Sequence, residues 1–178
     1  MKSTLQIPRD KAYYIVGFAD GEGSFNTSFR LRLDCLLGWK ITPVFNISQK
    51  ERTILALIKH HLRCGTLRYR KDGVWAYEVE TRKALRETII PFFSTFRFLS
   101  EKKKKDFQRF QKILAILDQH RSTTYDDLER ILVLLDDIDS KHARTYSKQQ
   151  ILARGAVFWE RNRLRIEALN GRPAKPRA

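Results

Sequence analysis

Asp20 and Glu22 stand two residues apart, with Gly21 between them and Gly23 after them, at the end of an apolar stretch reading YYIVGFADGEGSF over residues 13–25. The chemistry open to such a pair is the holding of a hard divalent cation, which takes a few carboxylate and carbonyl oxygens and leaves its other positions to water and phosphate. Ile15, Val16, Phe18 and Ala19 suit a buried helix, whereas Gly17 and Gly21 each lose about 1 kcal/mol of helix propensity against alanine. Glycines four apart share one face and remove the side chains that would hold a second helix away, so close contact between helices would offset that loss. At a helix carboxyl end the macrodipole disfavours negative charge, and a bound metal ion would relieve the conflict.

The elements around this stretch follow from periodicity. Residues 24–34 alternate, with Phe25, Thr27, Phe29, Leu31 and Leu33 on one side and Asn26, Ser28, Arg30 and Arg32 among those on the other. That is the pattern of a half-buried strand. A second run sets Trp39, Ile41, Pro43, Phe45 and Ile47 against Lys40, Thr42, Val44, Asn46 and Ser48. The two predict a hairpin, with Pro43, which removes a ladder donor, at an edge or bulge. Residues 50–62 read as a helix through Ile54, Leu57, Ile58 and Leu62, and a second hairpin is predicted from strands at 66–71 and 74–81 about an Asp72-Gly73 turn. Further helices are expected at 83–96, kinked or broken at Pro91, and at 101–119 and 125–139. Ser147 with Gln150 predicts a capping box that opens a last helix to Leu169, ended by Asn170-Gly171. The final RPAKPRA is basic, proline-rich and expected to be disordered.

The motif, the αββαββα order and the basic strand faces together resemble the single-motif LAGLIDADG homing endonucleases, over residues 10 to 120. The resemblance implies an α+β fold with a saddle-shaped antiparallel sheet and C-terminal helices. It divides the chain into an endonuclease domain at 1–140 and a basic helical extension and tail at 141–178. It implies that Glu22 and the Gly21 carbonyl hold Mg2+ or another divalent cation, Asp20 having a more structural place. Gln49, in the pair Gln49-Lys50, would orient the attacking water. Lys103, in the run from Glu101 to Lys105, would steady the scissile phosphate. One motif supplies one helix foot, so the second half of the active site must come from another copy. The expected homodimer seam is Tyr14, Ile15, Gly17, Phe18 and Gly21. The activity implied is a site-specific, intron-encoded, metal-dependent double-strand DNA endonuclease, cutting a long pseudo-palindrome and leaving 3′ overhangs. The alternative is a noncatalytic RNA maturase or DNA-binding regulator on the same scaffold. The intact acidic foot favours the enzyme, because a pure binder has no need of carboxylates that repel phosphate.

The strand faces supply a reader of double-stranded DNA. Asn26, Ser28, Arg30 and Arg32 share the polar side of the first strand, and Lys40, Thr42 and Asn46 that of the second. Arg68, Arg70, Glu78 and Glu80 join them from the second hairpin, with Arg52 near the DNA backbone. Arginine suits guanine, asparagine adenine and glutamate the cytosine amino group in a major groove. A single charged strand face is ordinarily just solvated, but four that agree argue for a reader.

Composition points the same way. Lys and Arg total 35 against 20 acidic residues, a net charge of +15, which calls for a polyanionic partner. No apolar run approaches the roughly 20 residues of a membrane span, and the amino terminus lacks a signal-peptide pattern, so a soluble intracellular protein without membrane contact is expected. Cys35 and Cys64 have no ligand spacing and read as unpaired thiols, and His60, His61, His120 and His142 as structural.

Overall fold

A computed structural model describes residues 7–136 and 145–171. The elements are α1 (Arg9–Glu22), β1 (Gly23–Leu31), β2 (Trp39–Gln49), α2 (Arg52–Leu62), β3 (Thr66–Tyr69) and β4 (Trp75–Val79). A helical stretch follows, made of α3 (Arg82–Ala84), a π-helical turn (Leu85–Ile89) and α4 (Ile90–Thr95). Then come α5 (Glu101–Gln119), α6 (Tyr125–Asp136) and α7 (Lys148–Asn170). This is the expected α+β order with helices at the carboxyl end. The strands form one sheet in the order β1-β2-β4-β3, with β4 antiparallel to both of its neighbours. Among the described residues no helix is long and apolar enough to cross a membrane. The end of the helix expected to reach 139, the boundary at 140/141, His142 and the RPAKPRA tail lie outside the described residues.

Pro43 and Pro91 both disturb the regularity of their elements, although Pro43 does not lie at an edge. Pro43 lies on an inner strand, ahead of the register with β4 that begins at Phe45↔Val79. Pro43, Val44 and Phe45 are all buried, so the alternation that would have turned Val44 outward breaks there. At Pro91 the regular α-helix is broken, as expected, by the turn that precedes it. The preceding turn widens, the Ile90 N–H donating to the Leu85 carbonyl, and the π-helical turn accommodates the proline ring and its missing donor. β1 also stops short, at Leu31. The Arg32 N–H donates to the Gly38 carbonyl at 3.0 Å and that of Gly38 to Cys35 at 2.8 Å, with Gly38 at φ +74°, and the turn leaves Leu33 72% exposed.

The chain forms two compact units that interleave in sequence, Met1–Thr27 with Thr42–Gln111, and Ser28–Ile41 with Lys112–Ala178. The first is centred on Phe25, whose ring meets those of Phe45, Phe93, Phe98, Phe107 and Phe110 at centroid distances from 5.0 to 5.9 Å. The second buries Leu37, Trp39 and Ile41 with Ile113, Leu117, Leu128, Ile131 and Ile151. There the Trp39 Nε1–H donates to the Ile151 carbonyl at 3.0 Å. Ser147 and Gln150 make the expected capping box at the start of α7. The far end differs: Gly171 stays right-handed at φ −73°, and the Asn170 side chain pairs with both backbone groups of Ser122, at 2.9 and 3.0 Å. Cys35 and Cys64 are free thiols.

Candidate functional site

The motif helix α1 has a closed and an open side. Ala12, Ile15, Val16 and Ala19 are between 0 and 4% exposed. Opposite them Tyr14 is 47% exposed, and a Cβ added at Gly17 or at Gly21 would meet nothing within 4 Å. Phe18 is half-buried and stacks on Tyr14 at 6.3 Å. Ile15 therefore leaves the expected seam: at 0% exposure it belongs to its own subunit's core and has no surface to offer a second copy.

At the carboxyl end of α1 the two carboxylates separate in role. Asp20 accepts from the backbone N–H groups of Leu99 and Ser100, both at 3.0 Å, and from the Ser100 hydroxyl. Ser100 is the residue before α5, and its carbonyl receives the Lys104 N–H at 3.0 Å, so Asp20 sits against the amino end of that helix. Burial raises the Asp20 pKa, but the donors of Ser100 and Leu99 and the charge of Lys103 outweigh it and hold the carboxyl below its ordinary value. The conflict foreseen between helix end and negative charge is thus relieved at Asp20 by protein donors. Glu22, the last residue of α1, remains exposed.

Lys103 reaches the same place. Its Nζ donates to the carbonyl of Gly23, the residue after Glu22, and the side chain is half-buried. Burial pushes this ammonium below the usual lysine value, against the opposing pull of Asp106, Asp20 and Glu22. In the same run Lys104 pairs with Glu101 at 2.7 Å, and Lys102 and Lys105 are exposed. Gln49 ends β2 with its Oε1 accepting the Lys50 N–H at 3.0 Å. Among the described residues no three His, Cys, Asp or Glu side chains gather as a metal site. Glu22 and the Gly21 carbonyl, which a helix end leaves without an intrahelical donor, are oxygen donors of the type a hard divalent cation takes.

The polar strand face forms as expected in the first unit. Asn46 lies opposite Glu78 and Glu78 opposite Thr66, while Ala76 lies between Ser48 and Arg68, so these residues share one side of β2, β4 and β3. One Arg68 nitrogen donates to both Glu78 oxygens at 2.9 Å, so this pair presents itself as a unit. Arg70 pairs with Asp72 at 2.6 Å, and Arg32, beyond the end of β1, pairs with Asp34 at 2.7 and 2.8 Å. Asn26, Arg30, Lys40 and Glu80 are exposed, and Ser28 and Thr42 half-buried. Arg52 lies over the Trp75 ring, 5.5 Å from its centroid. Sequence reasoning missed the carboxylates that hold these arginines, although an aspartate two residues after Arg32 and after Arg70 was a legible signal. It also missed Ser100, whose position just before a lysine-rich helix marks an N-cap.

Residues 15–114 match the family described as LAGLIDADG endonuclease. The homing endonuclease I-ApeII of Aeropyrum pernix is 28% identical over 149 residues, 78% of this chain and 86% of its own length. DNA endonuclease I-CeuI of Chlamydomonas moewusii is 25% identical over 134 residues, 72% of this chain and 60% of its own. Among solved structures, the archaeal intron-encoded homing endonuclease I-Vdi141I complexed with DNA superposes with a TM-score of 0.73 at 28% identity, covering 84% of this chain and 96% of its own. I-SmaMI, bound to an uncleaved DNA target in the presence of calcium ions, gives 0.67 at 25% identity, over 74% of this chain and 46% of its own. With the family match spanning more than half its length, the chain belongs to the LAGLIDADG endonuclease family.

Proposed function

We propose that the chain is a site-specific double-strand DNA endonuclease that works as a homodimer with magnesium or another divalent cation, of the intron-encoded homing kind. The observation that carries this reading is the division at the foot of α1. Asp20 is engaged by three donors within its subunit, while Glu22 is exposed beside an open glycine face. One subunit has one such carboxylate, and two-fold association through Tyr14, Gly17, Phe18 and Gly21 would bring a second Glu22 beside the first. A divalent cation held by Glu22 and the Gly21 carbonyl supplies activation of water and neutralisation of phosphate charge.

The chain's own residues supply the rest. The Lys103 ammonium, on the Gly23 carbonyl and feeling the charge of Glu22, puts a positive charge where negative charge develops on phosphate oxygens. Gln49, at the end of β2, orients water through its amide. Asn46, Glu78 and Arg68 read base edges from the polar strand face, with Asn26, Ser28, Arg30, Arg32, Lys40, Thr42, Arg70 and Glu80 extending the reader, and Arg52 meets the backbone. Two-fold symmetry would make the target a pseudo-palindrome. Cleavage is expected to leave short 3′ overhangs.

The test is cleavage of a randomised duplex library with magnesium or with EDTA, by the wild type and by Glu22→Gln, followed by sequencing of the new ends. Paired breaks with short 3′ ends that need both the metal and Glu22 are expected, with target binding retained in the variant. Breaks of equal yield in Glu22→Gln would remove Glu22 from the reaction, and binding without breaks would make the chain a noncatalytic binder.

A further inference from the structure

α2 and the hairpin beside it carry a second cationic site that the Glu22 chemistry does not use. A groove of ≈ 630 Å³ is lined by Arg52, Lys59, His60 and Arg63 and walled by Trp75 and Leu67, with no carboxylate in the lining among the described residues. Trp75 falls on the same side of β4 as the buried Tyr77 and Val79, and Glu78 on the other. The groove therefore belongs to the side of the sheet opposite Asn46, Glu78 and Arg68.

Two of its arginines break local rules. Arg63 caps α2 at φ +52°, the one non-glycine residue with positive φ among those described, at a position where glycine or asparagine is the usual choice. Arg52 is the first residue of α2, after the N-cap Glu51, at a place where the dipole favours an anion over a cation. Its guanidinium instead lies over Trp75, whose ring in turn meets that of Tyr69 at 5.0 Å, with Tyr69 60% exposed. Lys59 and His60 at the carboxyl end of α2 have an ordinary dipole explanation. The charge of Arg63 shares that explanation, but its left-handed backbone and the position of Arg52 do not, and both residues line this groove. Departures from local preference that converge on one cavity mark a place kept for a ligand.

The chemistry on offer is converging positive charge beside an aromatic wall, which suits a phosphate joined to a flat ring. We propose that this groove binds an unpaired nucleotide, its phosphate among Arg52, Lys59 and Arg63 and its base against Trp75. A paired base is already stacked in its duplex and cannot offer its face to the tryptophan, so the site selects single strands. It shares only Arg52 with the proposed duplex reader, and the substitutions that test it leave Arg52 in place.

The experiment is run in EDTA, so that cleavage plays no part. Binding is measured by anisotropy for a short labelled oligouridylate, an oligothymidylate of the same length and a duplex of arbitrary sequence, with uridine monophosphate as competitor. The combined variant Lys59→Glu, Arg63→Asn changes exposed side chains, and asparagine tolerates the left-handed conformation at 63. It is expected to weaken strand binding by about tenfold or more while duplex affinity stays within about twofold. Trp75→Leu should lose strand binding and Trp75→Phe keep most of it. The tighter of the two oligonucleotides identifies RNA or DNA as the source, and efficient displacement by the monophosphate identifies a free nucleotide. Strand affinity unchanged in the combined variant overturns the proposal, as do strand and duplex affinities that fall together by one factor.

Discussion

On one side of α1, Ala12, Ile15, Val16 and Ala19 are sealed into the first unit; on the other, Gly17 and Gly21 face open space beside an exposed Tyr14. The sealed side needs nothing beyond its own subunit. The open side carries two glycines that weaken the helix by about 1 kcal/mol each, and among the described residues no contact requires them. The carboxylates divide in the same sense. Asp20 ties α1 to the start of α5, while Glu22, two residues on, is left to solvent or to a ligand. Residues that a subunit's own stability does not explain point to what the subunit binds.

The hardest test of that contrast is to fill the open side. A Cβ at Gly17 or Gly21 meets nothing within 4 Å, so Gly17→Leu and Gly21→Leu should fold, yet each would hold a second α1 away. Because a misplacement of about 1 Å can cost a hundredfold in rate, double-strand cleavage should fall by on the order of a hundredfold or more. Sedimentation velocity should report the proposed dimer for the wild type and a monomer for the leucine variants. A leucine variant that still sediments as a dimer and cuts would abolish the contrast, because the seam would then lie elsewhere.

The sealed side is tested through Asp20. Asp20→Ala leaves the N–H groups of Leu99 and Ser100 without their acceptor and should cost about 2 kcal/mol, at the lower end for charge-assisted hydrogen bonds because the site is partly exposed. The folded pKa of Asp20 lies below its ordinary value, so the stabilisation is fully present above the unfolded value of about 3.9 and is lost as pH falls through the lower folded value. Urea midpoints followed from neutral pH downward should therefore converge for wild type and Asp20→Asn in that acid window. A constant gap down to the lowest pH would show that Asp20 is not held as its contacts imply.

The legible parts of this molecule are those whose pattern is local. The apolar and glycine spacing of α1 marked its two sides, and Asp72-Gly73 marked the second hairpin, where Gly73 has φ +79°. The partners of Asp20 were not legible, because they lie 79 and 80 residues away and only the fold brings them together. Nor was the interleaving of the two units, in which Ser28–Ile41 joins Lys112–Ala178 across the intervening sequence. At Pro91 a break in the regular helix was legible but its form was not, because the π-helical turn that accommodates the proline depends on how the residues before it pack. Among four neighbouring lysines, the sequence alone offered no physical reason to single out Lys103. Its reach to the Gly23 carbonyl depends on where Asp20 holds the start of α5.

The finest form of the contrast adds one methyl group. Gly17→Ala introduces a Cβ with nothing within 4 Å, and the helix gains alanine's propensity, so the isolated subunit should become more stable by about 1 kcal/mol. The same methyl should weaken association, because it stands on the face where the second helix would approach. Gly23→Ala is the control, only a few residues away. There the Cβ would fall 2.5 Å from the Ala19 carbonyl oxygen, a backbone atom that cannot swing aside, and the subunit should lose about 1–3 kcal/mol. Urea melts at a concentration low enough to populate monomer, with dimer dissociation measured in parallel, separate the two effects. Opposite signs at 17 for folding and for association, against a plain loss at 23, would mean that Gly17 is kept for a neighbour that is not part of the chain.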